Sequence, residues 1–181
     1  MYKSLFSIVI LASLVLSGCA GRQAPGIPPE IDSVRISGKL SIRLEGQGHT
    51  ANFRWLQTGE DYLIEVWGPL GQGRTTLQGD PASMQVLRGG EVLAEGPVEA
   101  VMMANLGWTI PVEVLPAWLQ GAGAENPPAT ILETDEDGRT LLLEQVGWRV
   151  EFDRFSENRP RRIVATNGER KVVAAVREIT Q

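Results

Sequence analysis

From Val34 to Glu45 the chain alternates without a break. Val34, Ile36, Gly38, Leu40, Ile42 and Leu44 fall on one side, and Arg35, Ser37, Lys39, Ser41, Arg43 and Glu45 on the other. A period of two over this length describes a half-buried antiparallel strand, because successive side chains of a strand point to opposite faces. Such a strand needs hydrogen-bonded neighbours and something apolar to cover its inner face, and the following residues supply both. The alternation returns with Ala51, Phe53 and Trp55, and after a turn at Thr58 to Asp61 a strand runs from Tyr62 to Trp67. Arg74 to Gln78, Met84 to Leu87 and Val92 to Ala94 continue the meander, the last two joined by Arg88-Gly89-Gly90. The spacing then becomes helical. Pro97 suits a first helical turn, and Val98, Val101, Met102, Asn105 and Leu106 recur at offsets of three and four until Gly107. A second short helix is expected to start near Pro111, bury Val114, Leu115, Trp118 and Leu119, and stop at Gly121. Strands resume over Thr130 to Glu133, Thr140 to Gln145, Trp148 to Phe152, Ile163 to Thr166 and Lys171 to Glu178, with Asn167-Gly168 as a type I′ turn. The expectation is a mainly β (α+β) chain of ten or eleven strands with two helices inserted midway. A sheet this long must curl or close, with the helices over the face it leaves open.

The residues before this pattern have a different character. Leu5 to Leu16 form an apolar run preceded by Lys3. A span needs about 20 apolar residues, so this run reads as the core of a secretory signal, residues 1–18, and the mature chain is expected to be exported. Leu16-Ser17-Gly18-Cys19 resembles the bacterial lipobox, in which the cysteine becomes the acylated first residue. Several acyl chains, at about 0.8 kcal/mol per buried CH₂, make a lasting membrane anchor. Ala20 and Gly21 follow the cysteine in place of the aspartate that resembles an inner-membrane retention signal, which points to the outer membrane. Residues 19–32 then form the acylated N-terminus and a flexible tether, in which the proline- and glycine-rich stretch Ala20 to Glu30 reaches at most roughly 30 Å. Residues 33–181 form the single folded domain. The full chain is 43% hydrophobic, enough for a sizeable core. Loss of the signal removes Lys3 and moves the formal charge from -5 to -6. That balance offers no basic surplus for nucleic acid.

Parts for catalysis are scarce. His49 is the single histidine and Cys19 the single cysteine, so neither a nucleophile–histidine pair nor a zinc site has its components. Glu133, Asp135, Asp137, Gly138 and Glu144 follow the spacing of a calcium loop, but they sit between strand-like segments where that loop needs helices, and the stretch reads as an acidic hairpin turn. No enzyme activity, cofactor or metal is expected. Phe53, Trp55, Trp148, Val150 and Phe152 on the strands, with Met102, Leu115 and Trp118 on the helices, face inward. They can make a solid core or line an apolar cavity under a helical lid, where Met102 and Met103 would supply adaptable contacts. The hairpin loop WGPLGQG, Trp67 to Gly73, is similarly open to two readings. Pro69 fixes one turn angle and Gly68, Gly71 and Gly73 free the backbone around it, so Leu70 either stands outward at the tip or folds back on Trp67.

Lipobox, tether, Phe53-x-Trp55, YxxxxWGPLG from Tyr62 to Gly71 and IPVEVLPAWLQG from Ile110 to Gly121, in this order, resemble the LolB family of outer-membrane lipoprotein receptors. The likeness runs from Cys19 to about Phe152. It implies an unclosed antiparallel β-barrel of about 11 strands with a helical lid, anchored by Cys19 to the inner leaflet of the outer membrane and facing the periplasm. It implies an apolar cavity that takes lipoprotein acyl chains from a LolA-like periplasmic carrier, with the eight inward residues as candidate lining, in a protein that acts as a monomer. The family's protruding loop carries an exposed leucine that promotes cargo insertion. Leu70 matches it, between Pro69 and Gly71. One departure is that Pro28-Pro29 and the early strand leave little room for the helix that family members have before their first strand. No Walker-type loop is present, so handover would run down an affinity gradient from carrier to receptor to bilayer. The alternative is a structural or assembly lipoprotein with a solid core, in which WGPLGQG is a protein-docking loop.

Overall fold

The structure, a computed structural model, describes residues 33–44, 47–107, 109–168 and 170–181. The expectations for the signal, Cys19, the tether and the room before the first strand lie outside those residues. The elements in chain order are β1 (Ser33–Leu44), β2 (Gln47–Thr58), β3 (Asp61–Trp67), β4 (Thr75–Gly79), β5 (Ser83–Arg88) and β6 (Glu91–Pro97). Two helices follow, α1 (Val98–Leu106) and α2 (Leu115–Leu119), and then β7 (Thr130–Thr134), β8 (Thr140–Gln145), β9 (Trp148–Asp153), β10 (Arg162–Asn167) and β11 (Arg170–Thr180).

All 11 strands belong to one antiparallel sheet in the order β6-β5-β4-β3-β2-β1-β11-β10-β9-β8-β7. Every neighbour is a sequence neighbour except at the β1–β11 junction, where the first and last strands meet. The two outer strands, β6 and β7, are consecutive in the chain and unpaired with each other, so this is a curled, unclosed barrel. The chain passes from one edge to the other through α1 and α2, which sets both helices across the concave face. Curling requires a local break in the ladder, and β1 has one. The register shifts between Ser37 and Gly38, where a Cβ on Gly38 would lie 2.2 Å from the carbonyl oxygen of Ala175 and 2.9 Å from the Phe53 ring. The bulge and the missing side chain let β1 and β11 approach while the sheet bends.

The alternation predicts which side chains turn inward. Ile36, Phe53, Trp55, Tyr62, Ile64, Met84 and Val86 are buried on the concave face, and the residues between them are exposed or half-buried. From α1, Val98, Val101 and Met102 are buried, and the helix ends at Gly107, whose N–H donates to the Met103 carbonyl at 3.0 Å. Met103 itself is 50% exposed, so only one of the adjacent methionines faces inward. The second helix is shorter than its spacing predicts. Pro111 to Val114 form a turn with a single Val114 N–H to Pro111 carbonyl bond of 3.3 Å, and the helix proper begins at Leu115. Val112 and Val114 are nonetheless buried, because the turn lies flat on the core.

Two turns refine the expectations. Asn167 is paired with Arg170 as the last residue of its strand, so the hairpin turn opens at Gly168 rather than at the Asn167-Gly168 pair. The Asn167 amide instead donates to the Gly147 carbonyl at 3.0 Å. The Asp135 to Gly138 segment connects two strands. Its leading carboxylate accepts the Asp137 and Arg139 backbone N–H groups and pairs with the Arg139 guanidinium at 2.7 Å. These donors hold the Asp135 carboxyl below its ordinary pKa against the opposing effect of burial.

Candidate functional site

The sheet is filled on one side and hollow on the other. Where β8, β9 and α2 meet, large side chains close the interior: Leu143, Trp148, Val150 and Phe152 are buried, and the Trp118 and Trp148 rings are tilted with centroids 6.4 Å apart. Gln145, 3% exposed, secures this region. Its Oε1 accepts from the Trp118 indole at 2.7 Å and from the Ala124 N–H at 3.2 Å, while its Nε2 donates to the carbonyls of Ala124 and Pro127. A buried polar side chain satisfied on both ends pins the irregular segment after α2 to the sheet.

Beneath α1 and the other half of the sheet lies a cavity of about 520 Å³. Its walls are almost wholly apolar, with Phe53, Trp55, Ile64, Leu77, Met84 and Ile163 from the strands and Met102, Leu115 and Trp118 from the lid. The inward positions of β10 and β11 explain why it is hollow. Ala165 and Ala174 sit where larger residues would reach the lid, and Ala51 does the same on β2. Both lining tryptophans have satisfied N–H groups, Trp118 on Gln145 and Trp55 on the Gln57 Oε1 at 2.9 Å, so they present only hydrocarbon to the interior. The polar lining residues His49, Thr75, Arg88 and Asn105 are exposed or half-buried and mark where the hollow meets water. Asn105 is occupied by the Val101 carbonyl at 2.8 Å.

Of the eight inward residues singled out in the sequence, the structure therefore brings Phe53, Trp55, Met102, Leu115 and Trp118 to the cavity. Trp148, Val150 and Phe152 are not among its lining residues; they belong to the filled half of the core. Alternation gives the face of a side chain and not the depth of empty space above it. The lining alanines were missed for the same reason. Their signal was present as small residues at inward positions, where the neighbouring strands carry tryptophan and phenylalanine.

Tyr62 lies buried against Trp55, with ring centroids 5.9 Å apart, and its hydroxyl has no partner among the described residues. Burial, with the Asp80 and Glu113 charges, pushes its pKa up to about 12 and keeps it neutral. Among the described residues no three His, Cys, Asp or Glu side chains gather to hold a metal.

The loop between β3 and β4 stands at the same end of the sheet as the polar lining residues Thr75 and Arg88, since alternate turns of an antiparallel meander fall at one end. Gly71 N–H donates to the Gly68 carbonyl at 2.9 Å, and Gly68 N–H donates to the Gln72 carbonyl at 2.8 Å. Pro69 and Leu70 are thus the central residues of a closed turn, followed by Gly71 at a φ of 84° that a side chain would oppose. The Gln72 side chain reaches back to accept the Leu70 N–H at 3.0 Å, and the Asn52 amide ties the Gly68 carbonyl to β2 at 3.3 Å. The loop is braced, and at its tip Leu70 is 93% exposed. Burying a leucine is worth about 1.5–3 kcal/mol, so a turn that holds one in water forgoes that stabilisation.

A family model described as Outer membrane lipoprotein LolB matches residues 32–178. The Outer-membrane lipoprotein LolB of Cellvibrio japonicus is 30% identical over 168 residues, covering 87% of this chain and 83% of that protein. Its namesake from Halorhodospira halophila is 32% identical over 184 residues, covering 92% and 90%. That of Chromohalobacter salexigens is 36% identical over 144 residues, covering 77% and 66%. The chain belongs to the LolB family of outer-membrane lipoproteins.

Proposed function

We propose that this chain is an outer-membrane receptor, held by an acylated Cys19 on the periplasmic side, that takes lipoproteins from a LolA-like carrier and inserts them into the outer membrane. The observation that carries this reading is the pairing, at one end of the sheet, of an apolar cavity with a braced turn that exposes a leucine. Acyl chains enter the cavity because each CH₂ withdrawn from water contributes about 0.8 kcal/mol. A cavity of this volume, open to water at one end, covers the chains less completely than a bilayer does, so release into the membrane runs downhill. Leu70 meets the bilayer first. There its side chain gains the burial that the turn denies it, and the perturbed surface lies beside the exit. Cys19 contributes position alone, and a single copy suffices because cavity and loop belong to one chain.

The test is transfer of a labelled lipoprotein from purified carrier to the unacylated mature chain carrying Cys19→Ala, with and without liposomes. Uptake is expected for this chain and for its Leu70→Glu variant alike, with release into liposomes reduced at least tenfold by the glutamate, because a charge at the tip opposes insertion. Normal delivery by Leu70→Glu sinks the loop assignment. Failure of uptake by both turns the reading to a docking protein.

A further inference from the structure

On the convex face runs a second hollow of about 640 Å³, which reaches the base of the Leu70 loop at Trp67 and extends along the strands to Leu63 and Arg35. Unlike the cavity it is lined by charged residues, Arg35, Arg54, Glu65, Arg177 and Glu178, with Trp67 beside them. Arg54 and Glu65 are cross-strand partners on this face, and Trp67 is the last strand residue before Gly68. The Glu65 carboxylate is shared by two guanidinium groups, Arg54 at 2.9 Å and Arg74 at 2.7 Å. Both arginines also approach the Trp67 ring, with Cζ 5.9 Å and 4.6 Å from its centroid. Arg177 donates to the Asn52 Oδ1 at 3.0 Å, and the amide nitrogen of that asparagine holds Gly68 of the loop. Lys39 is in register with Asn52 on β2, beside Trp67. Among the described residues neither Lys39 nor Arg177 has an ion-pair partner. With Arg35, which also lines the hollow, five cations therefore face two carboxylates, Glu65 and Glu178, on a chain whose overall formal charge is -5.

We infer that this groove is a docking site for the phosphate groups of an anionic phospholipid bilayer, with Arg54, Arg74 and Arg177 as the contacting cations and Trp67 at headgroup depth. The inference rests on the reading that the Leu70 loop meets the membrane. Guanidinium groups suit phosphate because their planar fork offers two parallel donors, and here Arg54 and Arg74 are already oriented by Glu65 and the indole. Tryptophan favours the membrane–water boundary, where its ring is half in hydrocarbon and its N–H is wet. A leucine tip, an aromatic collar and an arginine ring at successive depths match the layers of a bilayer surface. Charge complementarity also explains why an acidic protein keeps its spare cations beside the protruding Leu70.

The test uses the mature chain carrying Cys19→Ala, and co-sedimentation with vesicles of phosphatidylcholine alone or mixed with phosphatidylglycerol. Each basic side chain near an anionic surface strengthens binding by about fivefold. Arg54→Gln with Arg177→Gln is therefore expected to lower binding to the mixed vesicles about 25-fold, with a smaller change on phosphatidylcholine and unchanged uptake of an apolar fluorescent probe, which shows that the fold and cavity are intact. Raising the salt should erase the preference of the parent chain for mixed vesicles. Leu70→Glu should weaken binding to both. If the double arginine variant binds mixed vesicles like the parent while Leu70→Glu does not, the groove inference falls and the loop reading stands. If Leu70→Glu also binds normally, the membrane reading falls and takes the groove with it.

Discussion

The two halves of the concave face are built from the same alternating pattern and end in opposite states. Around β8, β9 and α2 the inward positions carry leucine, tryptophan, valine and phenylalanine, and the space is full. Around β2, β3, β10 and β11 they include Ala51, Ala165 and Ala174, and a cavity opens under α1. Interiors ordinarily pack to crystal density, so side chains that leave an apolar cavity of this size forgo packing contacts that the rest of the fold offsets. The filled half, with Gln145 tying strand, helix and connecting segment together, supplies the rigidity that lets the hollow half stay open.

Substitutions can break this contrast. Trp148→Ala in the filled half is expected to cost about 3–5 kcal/mol in urea unfolding, since it opens a cavity among fixed neighbours. Leu77→Ala faces space that already exists and is half-buried, so it should cost only about 1–2 kcal/mol, the transfer contribution without the cavity contribution. Equal costs would mean that the hollow collapses in solution. Next in size, Ala174→Leu should place a side chain in the void, weakening binding of an apolar probe about tenfold while changing stability by less than about 1.5 kcal/mol. A strong loss of stability there would show that no room exists.

An effect confined to alkaline pH concerns Tyr62. Its folded pKa of about 12 lies above the unfolded value of about 10, so at high pH the unfolded chain holds fewer protons than the folded one. Its contribution is complete below pH 10 and is lost as the pH rises toward 12. Tyr62→Phe should flatten that part of the stability curve, measured by thermal unfolding at stepped alkaline pH. An unchanged slope would place the titration elsewhere.

Most of the fold was legible because it rests on local periodicity. Eleven strands and α1 fall close to where period two and helical spacing place them, and the seam between β6 and β7 follows from helices inserted midway. What escaped depends on distance between elements. Trp148, Val150 and Phe152 face inward as expected, but whether a lid presses on them is decided by Gln145 and the segment after α2. The outward stance of Leu70 was undecided because Pro69 and the glycines permit both positions; the Gln72 side chain and the Asn52 bond to Gly68 fix one. Proline at position 116 and the turn at Pro111 shortened α2 for a reason visible only in part from spacing.

The seam has a mechanical consequence. A closed barrel can admit a wider guest only by tearing hydrogen bonds out of its ladder, one pair for each step of expansion. Here no ladder joins the edges, and the chain bridging them is the lid itself. Spreading the edges sacrifices no interstrand bond, and the same movement carries α1 with it. The container thus has one free joint, and a change of girth there leaves the other strand pairs in register.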